Sequence, residues 1–151
     1  MSCPETEHFV SNWNRIHKQT ASALEAAPDD KLDWRPKEGM FTLRELIRHM
    51  PEAELTIARS ALAGSMQKQE LDLSKSSVSE IVQTFNANHA QLAEEVSKLT
   101  LDQLNEEVEA FGRKMRRVVL LWGMTEHEIH HRGQLLTYYR LAGIEPPKLY
   151  G

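Results

Sequence analysis

Three histidines lie close together near the C-terminal end of the chain, in the stretch HEIHHRGQ that begins at His127. Residues four apart on an α-helix lie one turn apart on the same face, so His127 and His131 can offer two imidazoles to one metal ion. His130 lies about 60° around the helix from His127 and is expected to flank the pair. The spacing favours a metal site, and it leaves open the alternative that two neighbouring polar residues simply bond to each other.

The helix that carries these residues is predicted over residues 115–141, and Gly143 with two later prolines stops it. Its apolar stripe recurs at spacings of three and four and consists of Leu120, Met124, His127, His131, Leu135 and Tyr138. Two histidines thus fall on a face that should point into a bundle, where unpaired imidazoles are costly. Metal ligation would satisfy both.

Three further amphipathic helices are predicted, over residues 6–27, 43–64 and 78–99. Residues 28–41 contain prolines and a glycine and are expected to form a loop. Residues 100–114 are expected to connect the last two helices, with a helical turn near residues 101–107. Because no segment shows strand-like alternation, we predict an all-α fold, a four-helix bundle.

The second helix is expected to supply the third metal ligand. Thr42 and Glu45 have the spacing of a capping box and place its start. His49 then lies on the inner flank of the helix. Pro51 is expected to interrupt or kink the helix, either as a tolerated bend or as a bend that aims His49. Three protein ligands with open positions are typical of a catalytic metal.

The remaining histidines are expected to have ordinary roles. His89 lies on the inner face of the third helix and should be a hydrogen-bonded core residue. His8 and His17 are expected at the surface or at the rim of the bundle.

Composition limits the class of protein. With 151 residues the chain should form one domain, and its formal charge of −4 gives no general footprint for nucleic acid. No apolar run reaches the length of a membrane span, and the N-terminus has no apolar signal region. Cys3 is the single cysteine, so no internal disulfide can form, and we expect it in a frayed terminus with no catalytic role. These features favour the cytoplasm.

Four basic residues lie at the start of the last helix: Arg113, Lys114, Arg116 and Arg117. They could form a solvated face, attract an anionic substrate, or contact acidic residues in a dimer.

Three segments carry a resemblance to a known family. The C-terminal block HEIHHRGQLLTYYRLAGIEPPKLYG, the segment TLRELIRHMPEAE and the loop LDWRPKEG together resemble the DinB/YfiT-like superfamily of metal-binding four-helix bundles. The resemblance implies a metal held by His49, His127 and His131, an up-down-down-up topology, and often a homodimer. Pro51 departs from the family pattern, where this stretch is more often an unbroken helix.

The resemblance also implies a reaction class. Some branches of the superfamily use the metal to activate a low-molecular-weight thiol, so we expect one divalent transition metal per chain (zinc or nickel first, manganese or iron as alternatives) and a thiol that attacks a small electrophile. Gln134 could donate a hydrogen bond at the mouth of the site, or could simply cap a buried group.

Two alternatives to thiol transfer remain open. His127, Glu128 and His131 satisfy the H-E-x-x-H pattern of zinc hydrolases, in which the glutamate acts as the general base, although the extended form of that motif is absent. Glu128 lies about 100° around the helix from His127, so we expect it to point away from the open side of the metal. The second alternative is a non-catalytic, metal-stabilised stress-response or binding module.

Overall fold

Four long α-helices make up most of the computed structural model, which describes residues 2–150. The elements in chain order are α1 (Pro4–Glu25), a 3₁₀ turn (Asp29–Lys31), α2 (Leu43–Ala63), α3 (Val78–Ser97), the short α4 (Leu101–Asn105), the strands β1 (Glu107–Ala110) and β2 (Arg113–Arg116), and α5 (Arg117–Leu141). Within this described part, no helix has the length and apolar character needed to cross a membrane. The predicted helices and the predicted helical turn after residue 100 are confirmed.

Local sequence signals set the bounds of α2. The Thr42 side chain accepts a hydrogen bond from the backbone N–H of Glu45 at 3.1 Å, and the Glu45 carboxylate accepts one from the backbone N–H of Thr42 at 2.8 Å. This reciprocal pair is the predicted capping box. At the other end, Gly64 adopts a left-handed conformation with φ of 80° and closes the helix.

Pro51 does not interrupt α2, so the prediction of a break there is wrong. The helix is continuous from Leu43 to Ala63, and Pro51 is buried inside it. A proline removes one intrahelical hydrogen bond. Neighbouring helices pack around α2, and burial of its apolar face holds the helical conformation through this position.

Contacts at the helix ends show that α2 and α3 run parallel, whereas α5 runs antiparallel to α2. Arg59, late in α2, forms an ion pair with Glu95, late in α3, at 2.9 Å. Arg117, which begins α5, donates from Nε to the carbonyl oxygen of Ala61 near the end of α2 at 2.7 Å.

The orientation of α1 follows from two further contacts. Thr6, at the start of α1, donates to the carbonyl oxygen of Leu99 just beyond the end of α3 at 2.8 Å. Tyr139, near the end of α5, donates to the carbonyl oxygen of Ala23 near the end of α1. Since α1 is antiparallel to α3 and parallel to α5, the topology is up-down-down-up, as expected from the resemblance.

A β-hairpin between α4 and α5 corrects the expectation that the chain contains no strands. β1 and β2 pair antiparallel, and Phe111 and Gly112 form the turn with φ of 54° and 71°. Only Val108 and Ala110 of β1 are buried, which is too short an alternation to stand out among charged residues. Because β2 includes Met115, α5 begins two residues later than predicted.

The core consists of two apolar clusters with a polar layer between them. One cluster contains Leu46, Phe85 and Tyr139, and the other contains Trp13 and Leu92. Each long helix contributes one end to each cluster, and on each helix a buried ionisable residue lies between these two ends. These four residues, here called the polar layer, are His17 on α1, Glu54 on α2, His89 on α3 and Glu128 on α5.

The basic residues around the start of α5 do not share one role. Arg117 is buried, and besides its bond to Ala61 its guanidinium donates to the Gln103 carbonyl oxygen and, at 2.9 Å, to the Glu106 carboxylate. It therefore joins α2, α4 and the base of the hairpin. Lys114 and Arg116 are exposed, so the solvated-face interpretation holds for these two residues and fails for Arg117.

We expect Arg117→Met to lower the free energy of unfolding by about 1–3 kcal/mol, because buried carbonyl oxygens lose their donor. Arg116→Met is the matched control, since Arg116 is exposed and its guanidinium bonds only to Asn105 among the described residues. Urea unfolding followed by circular dichroism measures both. Equal midpoints for the two variants would contradict the structural role of Arg117.

Candidate metal centre

The structure brings together the three histidines singled out in the sequence. Nε2 of His49 lies 3.2 Å from Nε2 of His127 and 3.2 Å from Nε2 of His131. The three rings meet edge to face, with centroids 4.4–5.0 Å apart. All three side chains are half-buried. One nitrogen from each ring therefore points at a common position between α2 and α5.

The antiparallel packing of α2 against α5 produces this arrangement. His127 and His131 lie one turn apart on α5 and face α2, and His49 on α2 faces both. Leu46 and Met50, which flank His49 on its helix, are almost fully buried. Because these neighbours anchor α2 in the core, the direction of His49 is set by the packing of the helix rather than by its own contacts.

A hydrogen bond orients the imidazole of His131. Its Nδ1 lies 2.9 Å from Oε1 of Gln134. An amide oxygen can only accept, so His131 donates from Nδ1, and in the neutral ring the lone pair is then on Nε2. Gln134 thereby directs a metal-binding lone pair at the common position. Its contact is with a histidine, so it acts as a positioning residue for the centre.

The site favours neutral imidazoles. Burial, together with the nearby His131, His49 and His130, lowers the pKa of His127 to about 4. Burial also lowers the pKa of His49, with His131 as the second cause. Nε2 of a neutral His49 carries at most one proton, so it cannot donate in both of its 3.2 Å contacts, to His127 and to His131. A cation at the common position would satisfy them, so the donor set fits a divalent transition metal.

His130 lies outside the convergence point. Its side chain is exposed, and its ring stands edge-on to His131 with centroids 4.9 Å apart. This agrees with the expectation of a flanking group. Of the three histidines in the HEIHH stretch, only His127 and His131 point a nitrogen at His49.

A cavity of about 780 Å³ opens beside the histidines, and His49 and His127 form part of its wall. The apolar part of the wall includes Met66, Phe111, Met115, Val119, Trp122 and Met124, and the charged part consists of Glu52, Lys68, Arg113 and Glu126. The hairpin supplies Phe111, Arg113 and Met115. This wall was not predicted, because residues 100–114 were expected to form only a connection with one helical turn. The short alternation at Val108 and Ala110 was the available sequence signal for the hairpin.

Glu128 does not belong to this centre. It is 3% exposed, and its Oε2 accepts a hydrogen bond from Thr20 on α1 at 2.9 Å. Burial raises its pKa to about 8, and the nearby Glu54 carboxylate adds to the shift. Glu128 therefore points into the core, toward α1. The H-E-x-x-H spacing is present in the sequence, but the glutamate and the histidines face different ways.

Four other expectations about single residues are settled by the structure. His89 is a buried, hydrogen-bonded core histidine as predicted, and His8 is exposed. His17 was expected at the surface or at the rim of the bundle, and this is wrong: it is 7% exposed and stacks on His89 with ring centroids 3.8 Å apart. Cys3 is not frayed, since its Sγ lies 3.1 Å from Thr6 Oγ1.

Comparisons with known proteins agree with the fold. The sequence model of the DinB family matches residues 1–151. The uncharacterized protein YjoA of Bacillus subtilis (strain 168) is 26% identical over 138 residues, which is 90% of this chain and 87% of YjoA. The chain therefore belongs to the DinB family. Its four-helix bundle carries the three-histidine centre beside an open cavity.

Solved structures show the same architecture. A DinB-like protein from Bacillus cereus superposes with a TM-score of 0.82 at 24% identity, covering 95% of this chain and 97% of that one. YfiT from Bacillus subtilis, described as a probable metal-dependent hydrolase with an unusual four-helix bundle topology, superposes with a TM-score of 0.77 at 16% identity, covering 96% of this chain and 91% of YfiT. At these identities the likeness concerns the fold.

We expect Gln134→Leu to weaken divalent-metal affinity at the three histidines by about 10–100-fold, the usual effect of losing a group that orients a metal-binding histidine. Gln134→Glu keeps an acceptor for Nδ1 of His131 and should retain the affinity. Competition with a chromophoric chelator measures both constants. If Leu and Glu at this position gave the same affinity, the positioning role of Gln134 would be refuted.

Proposed function

We propose that this chain is a metal-dependent enzyme that activates a low-molecular-weight thiol for transfer to a small electrophile. His49, His127 and His131 would hold one divalent transition metal, with zinc or nickel as the first candidates and manganese or iron as alternatives. The observation that carries the proposal is the convergence of three imidazole nitrogens at the edge of an open cavity. Three protein ligands with room for another are the arrangement of catalytic rather than structural sites.

When bound, the metal would supply a Lewis acid that lowers the pKa of a coordinating thiol. The chain has no suitable sulfur of its own for this purpose. Cys3 is the single cysteine, and it lies against Thr6 and Leu99 instead of on the cavity wall. The sulfur would therefore come from a small thiol that enters the cavity.

The cavity wall suggests how two reactants would be held. Lys68 and Arg113 place positive charge on the wall and could bind the carboxylate of a thiol cosubstrate. Met115, Trp122 and Met124 offer an apolar surface for the body of an electrophile. The reactants would thus lie side by side next to His49 and His127.

The chemical step would be a substitution at the electrophile. The thiol loses its proton to solvent, a sulfur–carbon bond forms, and the leaving group departs with the electron pair of the broken bond. The apolar wall would exclude water from the reacting carbon and so favour the sulfur nucleophile. No carboxylate of the chain is needed as a base, which agrees with Glu128 pointing away from the cavity.

A metal-dependent hydrolase is the second candidate, and one feature of the wall favours it. Glu126 is exposed and lines the same cavity as His127, so it could act as a general base for water. Glu52 also lines the cavity, but its carboxylate accepts the backbone N–H of Leu71 at 2.9 Å. The description of YfiT as a probable metal-dependent hydrolase points the same way.

Two further features are proposed on the family resemblance. We infer a homodimer as the working form and the cytoplasm as its location. The first can be checked by light scattering and the second by cell fractionation.

His127→Ala and His131→Ala should each abolish stoichiometric metal binding, because two imidazoles leave too few ligands for a stable site. His130→Ala is the matched control, since that exposed ring points elsewhere. Metal content would be measured by elemental analysis of protein purified without an affinity tag, after correction for any metal bound outside the centre. Full metal occupancy of this centre in both alanine variants would refute the assignment of His127 and His131 as ligands.

Metal-loaded protein should conjugate a cellular thiol to a reactive electrophile faster than the uncatalysed reaction, since the metal raises the thiolate fraction. A chelator should abolish the acceleration, and Cys3→Ser should leave it unchanged. Product formation is followed by mass spectrometry across a panel of thiols. The proposal fails if no conjugate forms above background and no thiol alters the visible spectrum of the cobalt-substituted protein.

Paired glutamate variants distinguish thiol transfer from hydrolysis. For thiol transfer, Glu126→Gln and Glu128→Gln should both keep most of the activity. A hydrolase that uses Glu126 as its base should lose about 10²–10⁴-fold in kcat in Glu126→Gln with metal retained. An equal loss in Glu128→Gln alone would instead restore the H-E-x-x-H interpretation, which the present geometry opposes.

A further inference from the structure

A second cluster of metal-ligating side chains lies in the polar layer, separate from the three-histidine centre. His17, Glu54 and His89 come from α1, α2 and α3, and their exposed fractions are 7%, 3% and 6%. One ligand atom from each lies within 4.8 Å of the others. None of the three lines the cavity beside His49 and His127.

Hydrogen bonds to two asparagines determine which way the histidine lone pairs point. Nε2 of His17 lies 2.8 Å from Oδ1 of Asn86, and Nε2 of His89 lies 2.7 Å from Oδ1 of Asn14. Amide oxygens only accept, so both histidines donate from Nε2. In neutral rings, both Nδ1 atoms then carry lone pairs, and both face Glu54.

The distances suit ligation of one ion. Oε2 of Glu54 lies 3.2 Å from Nδ1 of His89 and 4.0 Å from Nδ1 of His17. A tetrahedral zinc ion with bonds of about 2.0–2.2 Å holds its ligand atoms about 3.4 Å apart. The two measured distances lie on either side of this value. The rings of His17 and His89 are stacked at an interplanar angle of 10°, so one ring must rotate out of the stack before both Nδ1 lone pairs can meet at one ion.

The cluster has more hydrogen-bond acceptor atoms than protons that can be donated to them. Trp13 Nε1 donates to Glu54 Oε2 at 3.2 Å. Among the described residues, Nδ1 of His17 and Oε1 of Glu54 have no hydrogen-bond partner. Burial lowers the pKa of both histidines to about 4, with the neighbouring ring adding to the effect at His17, so they are neutral at physiological pH.

A proton on the Glu54 carboxyl group would pair only some of these acceptor atoms. Burial raises the pKa of Glu54 to about 8, and a protonated carboxyl group could donate to His89. Nδ1 of His17 would still face an acceptor-rich core without a partner, which is costly. A divalent cation accepts electron pairs from the carboxylate and from both imidazoles at once.

We propose that His17, Glu54 and His89 form a second, interior site for a divalent transition metal ion. Two imidazoles and one carboxylate suit zinc or iron(II). Asn86 and Asn14 would orient the ligating rings from outside, as second-shell groups do. Both asparagines are exposed, so the outer edges of the histidines approach the surface between α1 and α3, where an ion can enter.

Three protein ligands alone would also suit a catalytic ion, but these three are buried and none lines the cavity, so the expected role of this ion is structural. It would link three helices at the middle of the bundle, in the layer that contributes least apolar burial. The proposal does not depend on the proposed thiol transfer or on metal at His49, His127 and His131.

The test uses a host variant in which His127→Ala and His131→Ala together remove the first centre. After loading with Zn²⁺ or Co²⁺ and gel filtration, the folded host should retain one equivalent of metal. Glu54→Gln or His89→Gln added to the host should reduce this to near zero, whereas His130→Ala added to the host, the matched control, should not. A folded host that binds no metal overturns the proposal, as does retention of the equivalent in both core variants.

A second measurement needs no change in the core. In the Co²⁺-loaded host, the ring resonances of His17 and His89 should show large paramagnetic shifts in ¹H–¹⁵N NMR spectra. Unshifted rings in a host that carries one equivalent of Co²⁺ place the ion elsewhere and refute the site. Since the host lacks the first centre, failure of this inference leaves the assignment of that centre unaffected.

Discussion

A buried polar layer between two apolar clusters is the constraint on which this bundle depends. Each long helix contributes one member, so His17, Glu54, His89 and Glu128 must lie at the same level. Buried polar groups cost free energy unless they are paired. A shift of any helix by one turn would separate these groups and push them among apolar side chains. The layer thus selects one axial register for four helices that apolar packing alone would constrain less tightly.

The same layer determines which way His127 of the three-histidine centre points. Neighbouring residues on a helix differ by about 100°, so with Glu128 buried against Thr20 on α1, His127 is turned toward α2 and the cavity. The two sets of polar residues therefore lie on different faces of α5. This explains why a sequence that satisfies H-E-x-x-H does not place its glutamate beside the histidines.

Most features that the sequence predicted correctly are decided within one helix. The exceptions are the meeting of His49 with His127 and His131 and the up-down-down-up topology, which was expected from the family resemblance. The capping box of Thr42 and Glu45 and the one-turn spacing of His127 and His131 depend on neighbours three or four positions away. The hairpin was missed because only Val108 and Ala110 of its first strand are buried. The predicted location of His17 was wrong for a related reason. Nothing near His17 in the sequence shows that Glu54 and His89 will lie against it.

The sequence by itself determined the four helices, their ends and the histidines that share a face of α5, because hydrogen bonding and side-chain periodicity within a helix are local. Tertiary structure decided which groups meet across helices: His49 with His127 and His131, and His17 with Glu54 and His89. It also decided that Pro51 is tolerated inside α2 and that the hairpin closes one wall of the cavity. These outcomes depend on the relative rotation and register of whole helices, which the burial of two apolar clusters and the pairing of the polar layer set together.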